Sequence, residues 1–195
     1  IRRMPGPQAE ESGLLRVVGE EVEASYLGAV KANVIHADVC REMGKKLKIV
    51  YTPLHGTGNL PVRRVLAELG FEQVWVVPEQ ELPDGDFSTV QSPNPEDKRA
   101  FALALALAKE KDADLVLATD PDADRLGVYA KDGATGEYMP FTGNMSGLLI
   151  AEYLLSQREA LGLLPADRAN GALVTAVVSS TMAHAVAHGY GLSVI

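Results

Sequence analysis

The chain has 195 residues, of which 47% are hydrophobic and 23% charged, and its formal net charge is −8. This balance is typical of a folded globular protein, and the negative charge argues against a nucleic-acid or anionic-membrane partner. The only cysteine, Cys40, excludes an internal disulfide and fits a reducing compartment, so we expect a cytoplasmic protein. No apolar run approaches the roughly 18 residues that a membrane helix needs.

Predicted helices and strands alternate along the first half of the chain. Residues 1–18, which include two prolines and a glycine near the start, are predicted to form a flexible lead-in. The next segments predict, in chain order, helix 19–47, strand 48–52, helix 60–69 and strand 74–77. A polar stretch with four prolines follows at residues 78–95 and predicts a long loop.

Residues 101–108 alternate with period two and fit a strand by pattern alone. We nevertheless predict a helix, because Ala and Leu, which make up most of this segment, are the strongest helix formers. Asn94 is the predicted N-cap, Pro95 suits the first turn, and Glu96 and Asp97 favour the positive end of the helix dipole.

The second half of the chain continues the alternation. Its segments predict strands 115–119 and 126–130, a hairpin through 132–140, helix 143–161, strand 172–178, helix 181–188 and a strand from 192. This order predicts an α/β fold with a mixed, mostly parallel sheet flanked by helices. We expect one domain over residues 19–140 and the start of a second, similar α/β domain over residues 141–195. The start at Ile1 and the apolar end predict a piece of a longer polypeptide.

Three aspartates spaced two apart follow the predicted strand 115–119, and an arginine comes directly after them. Asp120, Asp122 and Asp124 offer hard oxygen ligands on one tight turn, which suits a hard divalent cation. Arg125 either binds a phosphate, for which its guanidinium is well shaped, or pairs with one of the aspartates. The segment therefore predicts a metal-dependent phosphoryl-transfer site.

Other acidic motifs fit this segment less well. A solvated acidic turn is the simplest alternative. An EF-hand loop needs glycine at position six and glutamate at position twelve, and those positions hold Arg125 and Lys131. A haloacid-dehalogenase-like phosphatase has the motif DxDx[TV], but the fifth position here is Asp124. The third aspartate fits a set of metal ligands better than a pair of nucleophile and acid.

A glycine-rich turn, Gly56-Thr57-Gly58, follows His55 between a predicted strand and a predicted helix. Its backbone N–H groups either bind phosphate or serve only the geometry of a strand–helix turn. We favour the structural interpretation and predict no catalytic role for His55.

Several hydroxyl and imidazole side chains lack the partners that catalysis requires. Ser179 and Ser180 have no recognisable general base beside them, so we predict that they cap the helix near Thr181. Three histidines on predicted helices are interpreted as surface or packing residues: His36, His184 and His188.

Four ordered segments resemble the α-D-phosphohexomutase family. DPDADRL at residues 120–126 resembles its metal-binding loop, and YTPLHGTG at residues 51–58 resembles the loop that opens its second domain. SPNPE at residues 92–96 resembles the segment before the next helix, and FTGN at residues 141–144 resembles the start of its third domain. Residues 78–90 are most similar to the branch of bacterial phosphoglucomutases and eukaryotic phosphopentomutases.

The resemblance implies a four-domain enzyme that moves phosphate between sugar O1 and O6 through a bisphosphate intermediate. A phosphoserine in its first domain gives and recovers the phosphoryl group, and glucose 1,6-bisphosphate is the implied activator. Asp120, Asp122 and Asp124 are the implied Mg²⁺ ligands, together with a phosphoserine oxygen, and Arg125 is the implied phosphate contact. The implied partners are a sugar phosphate and the remaining domains of the same polypeptide, with no nucleic acid and no membrane.

The family's phosphoserine loop, sugar-reading segment and fourth-domain phosphate loop do not occur in this sequence. We therefore expect this piece alone to have no mutase activity and to bind Mg²⁺ weakly or not at all. Glucose phosphate is the expected substrate of the whole enzyme, with mannose and pentose phosphates as alternatives. Two other functions stay open: a Mg²⁺-dependent phosphatase with Asp120 as nucleophile, and a non-enzymatic domain that binds a divalent cation or a partner.

Overall fold

The computed structural model describes residues 3–195, and the chain divides into the units Ile1–Val34 and Ile35–Ile195. The first unit contains helices α1 (Gly6–Glu11) and α2 (Glu20–Lys31). Helix α1 lies where the sequence predicted a flexible lead-in over residues 1–18, of which residues 1 and 2 lie outside the described part. A proline in the first turn of a helix removes no hydrogen bond, so the prolines of this segment are compatible with α1.

The predicted helix over residues 19–47 is two helices. After α2 the chain is irregular until α3 (Ala37–Gly44), which lies in the second unit. The Asn33 side chain donates to the Ala29 carbonyl at 2.9 Å. This bond satisfies one of the carbonyls left free at the end of α2, so the helix ends without needing a further turn.

Five strands form a mixed sheet in the second unit: β1 (Lys48–Thr52), β2 (Gln73–Val76), β3 (Leu115–Thr119), β4 (Leu126–Lys131) and β5 (Tyr138–Phe141). Their order across the sheet is β2-β1-β3-β4-β5. Strand β1 runs parallel to both β2 and β3, whereas β4 and β5 continue the sheet as antiparallel strands. The predicted α/β fold with a mixed sheet is confirmed, with as many antiparallel as parallel pairings in this sheet.

The core lies beneath helix α6 (Ala102–Lys111), which contacts β1 and β3. Ala104 and Ala108 have no exposed surface, and their small side chains let the helix approach the sheet closely. The ring of Phe101 packs against Tyr129 of β4 with centroids 4.6 Å apart. The centre of β1 is apolar because, like other parallel strands, it is covered on both faces.

The helix predicted for residues 101–108 is confirmed, but its cap is not Asn94. A 3-10 turn (Lys98–Phe101) precedes α6, and the Asp97 side chain caps it by accepting from the Arg99 N–H at 2.9 Å. Asn94 instead accepts from the Glu96 N–H at 3.0 Å in a local turn. This local bond engages Asn94 before the helix begins.

Two further helices surround the first strands. Helix α4 (Asn59–Glu68) connects β1 to β2, and α5 (Pro78–Glu81) is a single turn at the start of the predicted loop over residues 78–95. Pro78 occupies the first turn of α5, where its missing N–H costs nothing. The segment over residues 78–95, for which the prolines indicated no regular structure, therefore begins with one short helix.

The last part of the chain contains α7 (Gly143–Ala160), a 3-10 turn (Arg168–Asn170), β6 (Ala172–Leu173), α8 (Met182–Gly189) and β7 (Ser193–Val194). Strands β6 and β7 pair in parallel in a separate sheet. The strand predicted for residues 172–178 is only two residues long, because the Ser179 N–H closes a turn onto the Ala176 carbonyl. The domain division near residue 140 stays a prediction. None of the helices in residues 3–195 is long and apolar enough to cross a membrane.

Candidate metal centre

Strand β3 leads directly into the aspartate loop, residues 120–125. Asp120 is fully buried, whereas Asp122 and Asp124 are exposed. One carboxylate oxygen from each of the three aspartates lies within 4.8 Å of the others. The structure thus brings together the three residues that the sequence singled out, in a set of hard oxygen donors that suits a divalent cation.

The loop is closed by Arg125. Its backbone N–H donates to Asp120 Oδ1 at 3.0 Å and its Nε donates to Asp120 Oδ2 at 2.6 Å. The same Nε lies 3.6 Å from Asp124 Oδ1. The guanidinium therefore pairs with aspartates, the second of its two predicted roles, although 51% of the side chain is exposed. Its contact with phosphate stays a prediction.

The pKa values of Asp120 and Asp124 are shifted in opposite directions. Burial raises the pKa of Asp120, but hydrogen bonds from the Arg125 backbone and side chain outweigh it, so the net pKa is lowered. A hydrogen bond with Asp120 and the nearby charge of Asp122 raise the pKa of Asp124. The pKa of Arg125 is raised by its hydrogen bond to Asp120. The exposed side of the loop thus carries unbalanced negative charge, which a bound cation would offset.

The turn over residues 53–58 supports the aspartate loop. The Thr57 N–H donates to the Pro121 carbonyl at 2.8 Å, and the Thr57 hydroxyl donates to the same oxygen at 3.2 Å. A β-carbon added to Gly56 would lie 2.5 Å from Pro121 Cα. Only glycine permits this approach of two backbone segments.

Most N–H groups of the same turn are already used inside the protein. The His55 N–H donates to the Gln80 carbonyl at 2.9 Å, and the Gly56 N–H donates to the Pro53 carbonyl at 2.8 Å. They are therefore not free to bind phosphate. These contacts favour the structural interpretation of the turn over the phosphate-binding one.

His55 joins this turn to the loop that follows β2. Its Nδ1 lies 2.9 Å from the Leu82 carbonyl and its Nε2 lies 2.8 Å from Thr89 Oγ1. Gln80, which is fully buried, accepts from the Thr52 hydroxyl at 2.7 Å and donates to Thr89 Oγ1 at 3.2 Å. Sequence reasoning missed this network, since its members are far apart in the chain and share no motif.

Backbone strain is concentrated around the same two segments. The backbone φ values of Leu54, His55 and Ala123 are 47°, 64° and 60°. Residues other than glycine rarely adopt such values. Such conformations persist only where the surroundings enforce them, and they cluster at functional sites.

A buried pair of hydroxyl groups lies near the aspartate loop. The Tyr51 and Thr119 hydroxyls are hydrogen-bonded at 2.8 Å in the core. Like the network around His55, this contact has no signal in the sequence.

Only the second of the two serines before α8 bonds to that helix, so the predicted capping role is found for Ser180 and is wrong for Ser179. The Ser180 hydroxyl accepts from the Met182 N–H at 3.2 Å, and the Ser179 hydroxyl accepts from the Ala176 N–H at 3.3 Å. They line a cavity of about 400 Å³ beside α7 whose walls contain no titratable side chain. Both serines also line a second cavity, of about 300 Å³, together with His184, but among the described residues neither hydroxyl is hydrogen-bonded to an imidazole.

The fold and the loop together define an α/β domain with three carboxylates placed as a candidate cation site. The family profile described as "Phosphoglucomutase/phosphomannomutase, alpha/beta/alpha domain II" matches residues 24–133, which is more than half of the chain. The chain therefore belongs to the phosphoglucomutase/phosphomannomutase, or α-D-phosphohexomutase, family.

Individual relatives agree with this assignment. A phosphoglucomutase from Staphylococcus epidermidis is 36% identical over 161 residues, which are 81% of this chain and 28% of the relative. A phosphoribomutase from Saccharomyces cerevisiae is 36% identical over 151 residues, which are 75% of this chain and 24% of the relative. The chain thus spans about a quarter of the length of these relatives.

A solved structure supports the fold. The crystal structure of a phosphoglucomutase/phosphomannomutase family protein from Burkholderia thailandensis matches with a TM-score of 0.58 and 22% identity. The match covers 82% of this chain and 32% of that chain. At this identity the similarity shows the shared fold.

Proposed function

We propose that this chain is the metal-binding part of a sugar-phosphate mutase, an isomerase that acts by phosphoryl transfer. The observation that carries the proposal is the convergence of Asp120, Asp122 and Asp124 at the end of β3, in a chain whose family includes phosphoglucomutases. The proposed site holds Mg²⁺ on these carboxylates, since Mg²⁺ prefers oxygen ligands and keeps positions for non-protein ones.

Each residue of the loop has a distinct proposed task. The bound cation supplies stabilisation of the charge that develops on a transferring phosphoryl group. Asp120, buried and bonded twice by Arg125, orients the loop, and the exposed Asp122 and Asp124 complete the ligand set. The Arg125 side chain stays accessible enough to contact a phosphate.

The proposed substrate of the whole enzyme is glucose phosphate, with mannose and pentose phosphates as alternatives. The names of the relatives, phosphoglucomutase and phosphoribomutase, support a hexose or a pentose phosphate. We propose that remaining domains of the same polypeptide supply the phosphoserine and the sugar contacts, that glucose 1,6-bisphosphate activates the enzyme, and that it works in the cytoplasm. This chain alone then has no turnover.

Paramagnetic NMR tests the cation site even where binding is weak. Mn²⁺, which accepts the same oxygen ligands as Mg²⁺, should broaden the amide signals of residues 120–125 first, and excess Mg²⁺ should reverse the broadening. Asp122→Asn and Asp124→Asn should remove this effect. Asp86→Asn is the matched control, because it removes one exposed carboxylate outside the loop. Equal broadening in all variants would refute the site.

A coupled enzyme assay tests the activity separately. In the full-length gene product, Asp122→Asn should lower the turnover of glucose 1-phosphate by at least about 10²-fold, since charge stabilisation is the main catalytic contribution in phosphoryl transfer. The isolated chain should show none. Turnover by the isolated chain, or a full-length Asp122→Asn enzyme of normal activity, would contradict the proposal.

The alternative of an aspartyl phosphatase is disfavoured by the surroundings of Asp120. Its side chain is fully buried and each of its carboxylate oxygens accepts one hydrogen bond from Arg125. The lone pairs that remain suit a small cation better than in-line attack on the phosphorus of a bulky phosphate ester. Beryllofluoride, which traps nucleophilic aspartates, should therefore leave Asp120 unmodified. A beryllofluoride adduct at Asp120 would support the phosphatase instead.

A further inference from the structure

Two histidines lie one turn apart on the exposed side of α8. His184 and His188 are separated by four residues, and their ring centroids are 6.1 Å apart with the ring planes at 72°. Both side chains are exposed, whereas Ala183 and Ala187 of the same helix are buried. Residues four apart lie on the same face of a helix, so both rings point to one patch of solvent.

These two rings differ from the other two histidines of the chain. His36 Nε2 lies 2.8 Å from Gln157 Oε1, and both ring nitrogens of His55 have partners. Within residues 3–195, neither His184 nor His188 has a side-chain hydrogen bond or an ion pair. Their nitrogen lone pairs are therefore available to a ligand from solvent.

We propose that His184 and His188 form a binding site for one late first-row divalent transition ion: Cu²⁺, Zn²⁺ or Ni²⁺. Imidazole is a preferred ligand of these ions, whereas Mg²⁺ takes oxygen ligands. Two histidines at positions i and i+4 of one helix are also the spacing by which helices present a pair of metal ligands. The rings reach one ion after small side-chain rotations, because both are exposed.

The site has two protein ligands, with water completing the coordination. Among the described residues, the only group of three or more potential metal ligands is the aspartate trio, so no third side chain joins the histidine pair. The two sites differ in donor chemistry, imidazole nitrogen against carboxylate oxygen, and they bind different classes of ion. Because the pair is spaced correctly only while α8 is helical, a bound ion stabilises this helix.

Copper titration with spin-resonance detection tests the proposal. Cu²⁺ has the highest affinity of the three ions for such ligands, and excess Mg²⁺ in the buffer occupies the carboxylate loop. The wild-type signal should show splitting from two ring nitrogens. His184→Ala and His188→Ala should each raise the Cu²⁺ dissociation constant about 10²-fold or more, because the advantage of two linked ligands is lost.

A spacing control separates chelation from the mere presence of histidines. The double variant Ala185→His/His188→Ala keeps the composition of the chain but places two histidines side by side, where they point in different directions around the helix. Ala185 is exposed, so the larger side chain does not disturb the core. This variant should bind Cu²⁺ as weakly as His188→Ala, and wild-type affinity in it would overturn the proposal.

A second measurement uses the unaltered chain. Substoichiometric Zn²⁺ should shift the imidazole NMR signals of His184 and His188 together and leave those of His36 and His55 in place. Shifts at only one ring of the pair, or at neither, would overturn the proposal.

Discussion

Replacing Gly56 by alanine tests whether the turn over residues 53–58 supports the aspartate loop. A β-carbon at this position would lie 2.5 Å from Cα, 2.6 Å from the carbonyl oxygen and 2.8 Å from the carbonyl carbon of Pro121. All three are backbone atoms, so no side-chain rotation relieves the contact and one of the two segments must move. Overpacking of this kind costs about 1–3 kcal/mol. That is a large part of the roughly 5–15 kcal/mol that stabilises a typical domain.

Urea unfolding measures this loss, and NMR locates it. The free energy of unfolding of Gly56→Ala should fall by about 1–3 kcal/mol, and the amide signals of residues 120–125 should shift because Pro121 is displaced. Gly133→Ala is the control, since a β-carbon there meets no atom within 4 Å. If Gly56→Ala were as stable as Gly133→Ala and left the loop signals in place, the turn would not support the loop as described.

Three other substitutions, the first with a matched control, test separate parts of the structure. Phe101→Ala should lower the free energy of unfolding by about 3–5 kcal/mol because the ring is buried, whereas Leu60→Ala, at an exposed position, should change it by less than about 0.5 kcal/mol; urea titration measures both. Tyr51→Phe should cost about 1–3 kcal/mol in the same assay by leaving its buried threonine partner unsatisfied. Ser88→Ala should raise the pKa of Asp84 from about 2 toward its ordinary value in an NMR titration, because two of the hydrogen bonds that lower it come from Ser88 and one of them is lost.

The Asp84 result also predicts a dependence of stability on pH. A carboxyl group with a lowered pKa in the folded chain contributes stability that is fully present above its ordinary pKa. This contribution is lost as the pH falls through about 2. In Ser88→Ala this contribution should be smaller and its loss should be complete at a higher pH, because only the folded-state pKa of Asp84 is raised. An unchanged acid unfolding profile with an unchanged Asp84 pKa would contradict this account.

Local patterns were sufficient for most of the secondary structure. The run of Ala and Leu before β3 forms α6 despite its period-two spacing, because helix propensity outweighs an alternation between two strong helix formers. Capping was harder to predict: Asp97 rather than Asn94 caps the first turn, since several residues within a few positions can compete for the same N–H groups.

The aspartate loop could be recognised from sequence, because its three ligands are two residues apart on one turn. The contacts that hold this loop and its neighbouring turn in place could not be recognised in the same way. Thr57 is 64 residues from Pro121, and His55 is 34 residues from Thr89, so the contacts exist only after the chain has folded.

The sequence by itself determined the chemistry of the loop, since carboxylates and a guanidinium keep their charge and donor properties in any fold. Only the tertiary structure decided how these groups are used. Burial of Asp120 makes it a partner of Arg125 and leaves Asp122 and Asp124 exposed. Burial depends on which strands pair and which helix covers them, and those are long-range contacts that no short motif contains.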